Sequence, residues 1–189
     1  MTNLSIVSSL YNSEKYIKQF IAKTEKALKS LKISRYEIIL VDDGSPDNSF
    51  KIACNIAAKN SKIIIVKLSR NYGQPNALTA GLAESKGDKV FLIDSDLEED
   101  PGWLELFYNE MLKGNQDCIY GLQTMRKGNF FEKISGRIFY KLLNLFSDIR
   151  LVPNQVTSRI MTRRYVDSFL KFKERNLSIG MLCTLNGFP

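Results

Sequence analysis

The sequence predicts an α/β fold: a mostly parallel central sheet flanked by helices, in a single domain. Short apolar runs alternate with amphipathic stretches four times before residue 115, the signature of βαβ units. Each run ends abruptly in polar residues: Tyr11-Asn12, Asp42-Asp43, Arg70-Asn71 and Asp94-Ser95-Asp96. The length of 189 residues, with 44% hydrophobic and 25% charged content, suffices for one sizeable core. Right-handed crossovers set all four polar ends along one edge of the sheet, where open α/β sheets take their ligands.

Leu4 to Ser8 reads as the first strand, and Ser13 as the N-cap of a helix whose apolar residues Tyr16, Ile17, Phe20, Ile21, Ala27 and Leu28 repeat to about Leu31. Glu37 to Val41 is the second strand, and the segment from about Asn48 to Lys59 the second helix. Strand three is Ile63 to Leu68, and after the turn Ser69 to Gln74, Pro75 opens a helix that Gly87 ends. Val90 to Ile93 is apolar throughout, as in a strand covered on both faces. Asp100-Pro101 suits N-cap and N1 of a helix from about Gly102 to Leu112. Asp117 to Leu122 and Val156 to Met161 are candidate fifth and sixth strands, and Tyr165 to Leu170 a short helix. Phe130 to Phe146 is amphipathic, with Lys133, Arg137 and Lys141 interleaved among its apolar positions. Both a helix packed on the sheet and a helix lying on an anionic membrane fit that pattern.

Chemistry concentrates in Lys89 to Pro101, where an apolar strand gives way to Asp94, Asp96, Glu98, Glu99 and Asp100. Asp94 and Asp96 leave the strand at alternating positions, so their carboxylates can converge on one hard cation that relieves their repulsion. The competing reading is a solvated loop with a helix cap, and Asp100 fits the cap. Magnesium or manganese takes few protein carboxylates and completes its shell with phosphate oxygens. No Gly-x-x-x-x-Gly-Lys-Ser/Thr or Gly-x-Gly-x-x-Gly motif occurs, so a diphosphate would be held through the metal and basic side chains. Asp42 or Asp43 could then accept a hydrogen bond from a base N–H.

Composition narrows the chemistry further. The chain has no histidine, which removes Ser-His-Asp and Cys-His catalysis and every His-ligated metal site. Cys54, Cys118 and Cys183 are odd in number and far apart, as reduced thiols are. From Gln123 to Arg175 twelve basic residues face four acidic ones, so that segment is the source of the net charge of +7. It suits nucleic acid, anionic lipid or substrate phosphates. No run approaches the roughly 20 apolar residues of a membrane span, and Met1 to Leu10 lacks the features of a signal peptide, so a cytoplasmic chain is expected.

Four segments, SSLYNSEKYI (Ser8 to Ile17), ILVDDGSPDNS (Ile39 to Ser49), LSRNYGQPNALTAGL (Leu68 to Leu82) and IDSDLEEDP (Ile93 to Pro101), resemble in order and spacing the family 2 glycosyltransferases of the GT-A fold. The resemblance is closest to the branch of dolichyl-phosphate mannose synthase and undecaprenyl-phosphate sugar transferases, and covers about the first 125 residues. It implies a metal-dependent, inverting enzyme that moves a sugar from a nucleotide-diphosphate sugar to a lipid phosphate or glycan hydroxyl. By that resemblance Tyr11, Asp42, Asp43, Arg70 and Asn71 line the donor, and Asp94, Ser95 and Asp96 form the DxD motif. Glu98 stands where relatives often carry glutamine near the metal, Arg126 where a basic residue approaches the diphosphate, and Arg159 in SRIMTRRYVD is a phosphate contact. Residues 1–122 would form the nucleotide-sugar core and 123–189 a basic acceptor side of the same domain, peripheral on the inner membrane face. Nucleic acid is not expected as a partner.

Two departures stand out. Ser9-Leu10 replaces the usual proline before Tyr11, and Thr157 stands where relatives often have aspartate. A lipid phosphate would need no general base; a hydroxyl acceptor would, and Glu174 or Asp148 are the candidates. Many members continue into membrane helices, and this sequence stops at Pro189, which leaves a truncated chain, a natural fragment and a soluble variant open. Another metal-dependent phosphate transferase and a non-catalytic membrane-surface module remain as alternatives.

Overall fold

The computed structural model describes residues 3–123, 154–172, 180, 183 and 186–188. Its elements in chain order are β1 (Leu4–Leu10), α1 (Ile17–Ser30), β2 (Tyr36–Asp42), α2 (Ser49–Ala57), β3 (Ile63–Lys67), α3 (Gln74–Glu84), β4 (Lys89–Leu92), α4 (Trp103–Lys113), β5 (Cys118–Leu122), β6 (Gln155–Thr162) and α5 (Arg163–Phe169). Among the described residues the strands form one six-stranded sheet in the order β3-β2-β1-β4-β6-β5. β1 pairs in parallel with β2 and β4, and β2 with β3. β6 runs antiparallel between β4 and β5.

The strand runs are almost wholly apolar because both faces of the sheet are covered. On one face Leu4, Ile6, Leu10, Ile38, Leu40 and Phe91 pack against α1, α2 and α4 residues such as Phe20, Ala53 and Phe107. On the other Val7, Ile39, Val41, Val90 and Leu92 pack against Leu78 and Leu82 of α3 and Tyr165 and Phe169 of α5. The alternation of the strand side chains thus assigns consecutive residues to opposite cores.

Helix boundaries depart from expectation where side chains are diverted. Ser13 does not cap α1, which begins at Ile17; its hydroxyl instead receives the Tyr11 N–H at 3.1 Å and lies 3.1 Å from Ser95 Oγ. α3 ends at Glu84 rather than at Gly87, since Ser85 turns extended and donates its hydroxyl to Leu82 O. Asp100 accepts the Gly102 N–H at 3.0 Å in the turn before α4, but the helix begins at Trp103 and its N-cap is Gly102, not Asp100. The amphipathic stretch 130–146 lies outside the described residues. β6 comes from beyond residue 122 and sits inside the sheet, so the segment after 122 contributes to the same core. The three cysteines are free thiols.

Candidate active site

With β1 between β2 and β4, the chain builds outward through β2 and β3 and then crosses back to add β4 on the other side of β1. This is the switch point at which the loops at the carboxyl ends diverge and leave a crevice. One cleft there is lined by Ser9, Tyr11 and Ser13 after β1, Asp43 after β2, Asn71, Gly73 and Gln74 after β3, and Asp94, Ser95 and Asp96 after β4. Four turns spread over 88 residues therefore share one wall.

The turns are laced together. The loop after β1 and the loop after β2 exchange hydrogen bonds: Asn12 N–H donates to Ser45 Oγ (2.9 Å), Ser13 N–H to Ser49 Oγ (2.9 Å) and Glu14 N–H to Asp47 Oδ2 (3.0 Å), while Glu14 Oε2 accepts from Asn48. Gly44, at φ +65°, lets the loop after β2 touch the loop after β3, since a Cβ there would stand 2.7 Å from Arg70 C and Asn71 N. Tyr72 N–H donates to Asp43 Oδ1 at 2.7 Å, fixing that carboxylate at the cleft wall. Ser95 donates its hydroxyl to Ser9 O at 2.8 Å and joins the exits of β4 and β1.

Asp94 and Asp96 both reach the cleft. Asp94 is half-buried, and Gln74 Nε2 donates to its Oδ1 at 2.6 Å. Burial, with the charges of Glu99 and Asp96, pushes the Asp94 carboxyl up to about 6, against the hydrogen bonds from Thr157 and Gln74 that favour its ionised form. Asp96 is exposed and its Oδ1 accepts the Glu98 N–H at 2.9 Å, an Asx turn that points the loop onward. Leu97 between them has φ 65°, a conformation uncommon outside glycine, and its side chain is anchored against the core. The donor chemistry fits a hard divalent cation: two carboxylate groups reach one cleft, and that of Asp96 is open to solvent.

The adjacent aspartates at the end of β2, Asp42 within it and Asp43 just beyond, separate by strand parity. Asp43 enters the cleft, whereas Asp42 does not: its Oδ1 is buried and, among the described residues, has no hydrogen-bond partner. Burial raises the Asp42 carboxyl above its usual range, opposed by the Ser45 backbone N–H and by Lys67. Tyr11 is 48% exposed at the cleft rim. Arg70 lies over the Tyr72 ring at 4.9 Å and is not among the lining residues, nor is Glu98, which is exposed. Arg159 is 3% exposed, with its guanidinium bound to Thr157 O, Val156 O and, at 3.1 Å, Cys183 Sγ. These bonds hold its guanidinium against β6, and it is not among the lining residues. Arg126, Asp148 and Glu174 lie outside the described residues. Among the described residues, no three acidic or thiol side chains stand close enough together to hold a metal by themselves.

Ser9, Ser13, Gly73 and Gln74 line the cleft without having been read from the sequence as site residues. Gln74 acts on a residue twenty positions away, and no local pattern marks that pairing.

Residues 5–170 match the model of the family described as glycosyl transferase family 2. The chain belongs to this family. A Mycobacterium tuberculosis (strain CDC 1551 / Oshkosh) relative whose name places it among the glycosyltransferases is 40% identical over 185 residues, covering 98% of this chain and 54% of the relative. The undecaprenyl-phosphate 4-deoxy-4-formamido-L-arabinose transferase of Pseudomonas fluorescens (strain SBW25) is 32% identical over 186 residues, covering 98% of this chain and 53% of that protein. The fold is GT-A: the mannosyltransferase PcManGT from Pyrobaculum calidifontis, solved with GDP-Man and Mn2+, superposes with a TM-score of 0.66 at 14% identity, over 96% of this chain and 50% of that one. The family 2 chain spans about half the length of the curated relatives it matches. Among its described residues, no helix is long and apolar enough to cross a membrane.

Proposed function

We propose that this chain carries the donor site of a metal-dependent, inverting glycosyltransferase that moves a sugar from a nucleoside-diphosphate sugar to a lipid phosphate. The observation that carries the reading is the meeting of Asp94 and Asp96 with Asp43 and Tyr11 in one cleft at the switch point of the sheet. Family membership supports the transfer chemistry, and the Pyrobaculum complex with GDP-Man and Mn2+ supports both a nucleotide-sugar and a divalent cation. Residues 1–122 act as the donor half and 123–189 as the acceptor half.

Tyr11 offers its ring to the base, and Asp43, steadied by the Tyr72 N–H, accepts from a base N–H. Asp94 and Asp96 would hold magnesium or manganese, with Glu98 as a further contributor. When bound, the cation neutralises charge on the departing diphosphate. Arg126 and Arg70 assist by opposing charge on the diphosphate, with Asn71 and the Ser95 backbone bordering the phosphates. The acceptor oxygen attacks the anomeric carbon as the bond to the diphosphate breaks, which inverts that centre.

A phosphate acceptor suits a chain without histidine in which neutral Thr157 borders Asp94, because a phosphate is already ionised and no proton has to be removed. The name of the Pseudomonas relative favours the same acceptor class. The basic segment 123–175 would then face the anionic inner surface of the membrane. The test is incubation of the chain with Mn2+, undecaprenyl phosphate in detergent, and UDP-glucose, UDP-N-acetylglucosamine or GDP-mannose in turn. Mass spectrometry should find a lipid carrying one sugar through phosphate with one donor. Lipid left unglycosylated by all three counts against the reading.

A further inference from the structure

Five acidic residues stand between Asp94 and Asp100, and one of them bonds to another strand of the sheet. Glu99 Oε1 accepts the Thr157 N–H at 3.0 Å, and its Oε2 accepts the Ser158 N–H at 2.8 Å together with the Ser158 hydroxyl. The other four are engaged differently: Asp94 and Asp96 in the cleft, Glu98 in solvent, Asp100 in its own turn.

The sheet explains why a carboxylate is needed there. The β4–β6 ladder stops at the pair Leu92 and Arg159, so β4 offers Thr157 and Ser158 no partner. On the opposite side the β5–β6 register slips between Tyr120 and Leu122, which leaves the same stretch of β6 irregular. Glu99 extends the ladder with its side chain, and hydrogen bonds to a charged acceptor are the stronger kind. Its own position depends on the reversal at Leu97, whose positive φ is uncommon outside glycine and persists only where the surroundings over-determine it. Carried two residues past the pair Leu92 and Arg159, the antiparallel register brings Thr157 alongside Asp94, where its side chain favours the ionised carboxylate. A closed circuit results: Asp94, the turn at Leu97, Glu99, the backbone of Thr157, and back to Asp94.

We propose that Glu99 is a positioning residue for the metal site. By clamping Thr157 and Ser158 it keeps the Thr157 side chain beside Asp94, and so sets how Asp94 stands relative to Asp96, the pair that would hold a cation. The inference rests on the donor-site reading above. It predicts that weakening the clamp raises the metal requirement more than it weakens the nucleotide's other contacts.

The test titrates Mn2+ into the full chain at saturating UDP-glucose or GDP-mannose, whichever shifts the unmodified protein, and reads the melting temperature. Glu99→Gln keeps the size of the side chain but turns an N–H donor toward the backbone N–H groups. It should raise half-saturating Mn2+ at least tenfold, while donor affinity at saturating Mn2+ stays within about threefold. Thr157→Val removes only the hydroxyl at the far end of the circuit and should raise the Mn2+ requirement too, and Thr157→Ser, which restores a hydroxyl, should bring it back. These two keep the proposal testable even where Glu99→Gln does not fold. A lower melting temperature with an unchanged Mn2+ midpoint in Glu99→Gln, or unchanged midpoints in both Glu99→Gln and Thr157→Val, overturns the positioning role and leaves the donor site standing. No metal-dependent shift in the unmodified chain overturns both.

Discussion

Gln74 Nε2 donates to Asp94 Oδ1 across 2.6 Å, tying the first turn of α3 to the end of β4. The amide orients the carboxylate without neutralising it, so Asp94 is aimed but left short of positive charge. A cation arriving at the site meets a ligand already turned toward it. Gln74→Ala should therefore raise half-saturating Mn2+ several-fold in a nucleotide-sugar thermal-shift titration, and cost the ligand-free fold only about 1 kcal/mol in urea.

Asp94 itself carries a stability cost. Its folded carboxyl titrates at about 6, above its ordinary 3.8, so the folded state binds the proton more tightly than the unfolded one. The sign follows: the penalty is absent below about pH 4, grows through the interval up to about 6, and is complete above it. That displacement is worth roughly 3 kcal/mol. In EDTA, Asp94→Asn should stabilise the chain at pH 7.5 by a comparable amount, and the gain should vanish near pH 4. Mn2+ competes with the same proton, so the donor-dependent shift should weaken as pH falls through 6.

The neighbouring aspartates of β2 should behave oppositely. Asp43→Ala removes the acceptor for Tyr72 N–H and should weaken binding of free UDP or GDP even without metal, as measured by calorimetry. Asp42→Asn replaces a buried carboxylate whose Oδ1 has no partner among the described residues, and should raise the melting temperature without changing nucleotide affinity.

The two are adjacent, and this is where the sequence stops being legible. Four apolar runs ending in polar turns are enough to place a parallel sheet and its ligand edge, because strand burial and crossover handedness leave few alternatives. Which of Asp42 and Asp43 faces the cleft depends on pleat parity, and an apolar run covered on both faces carries no alternation to reveal it. The surroundings of Arg159 were illegible for a related reason: its carbonyl partners, Val156 and Thr157, lie within its own strand, and they hold the guanidinium against β6. Gln74 and Glu99 had no signal at all, since their partners stand 20 and 58 residues away and are joined only by the topology.

Gly44 offers a test of how closely the turns must approach. At φ +65°, with Arg70 C and Asn71 N only 2.7 Å from where a Cβ would be, Gly44→Ala should destabilise the fold by about 2 kcal/mol in chemical denaturation. It should also push the Asn71 wall outward and weaken donor binding beyond what the loss of stability explains.

The most direct measurement is the melting temperature of the chain with UDP- and GDP-sugars in the presence of Mn2+, in EDTA, and in the Asp96→Asn variant. A cleft in which Asp94 and Asp96 share a cation with a donor diphosphate predicts a rise only with Mn2+, and none in Asp96→Asn. A rise that persists in EDTA, or that survives Asp96→Asn undiminished, would contradict it.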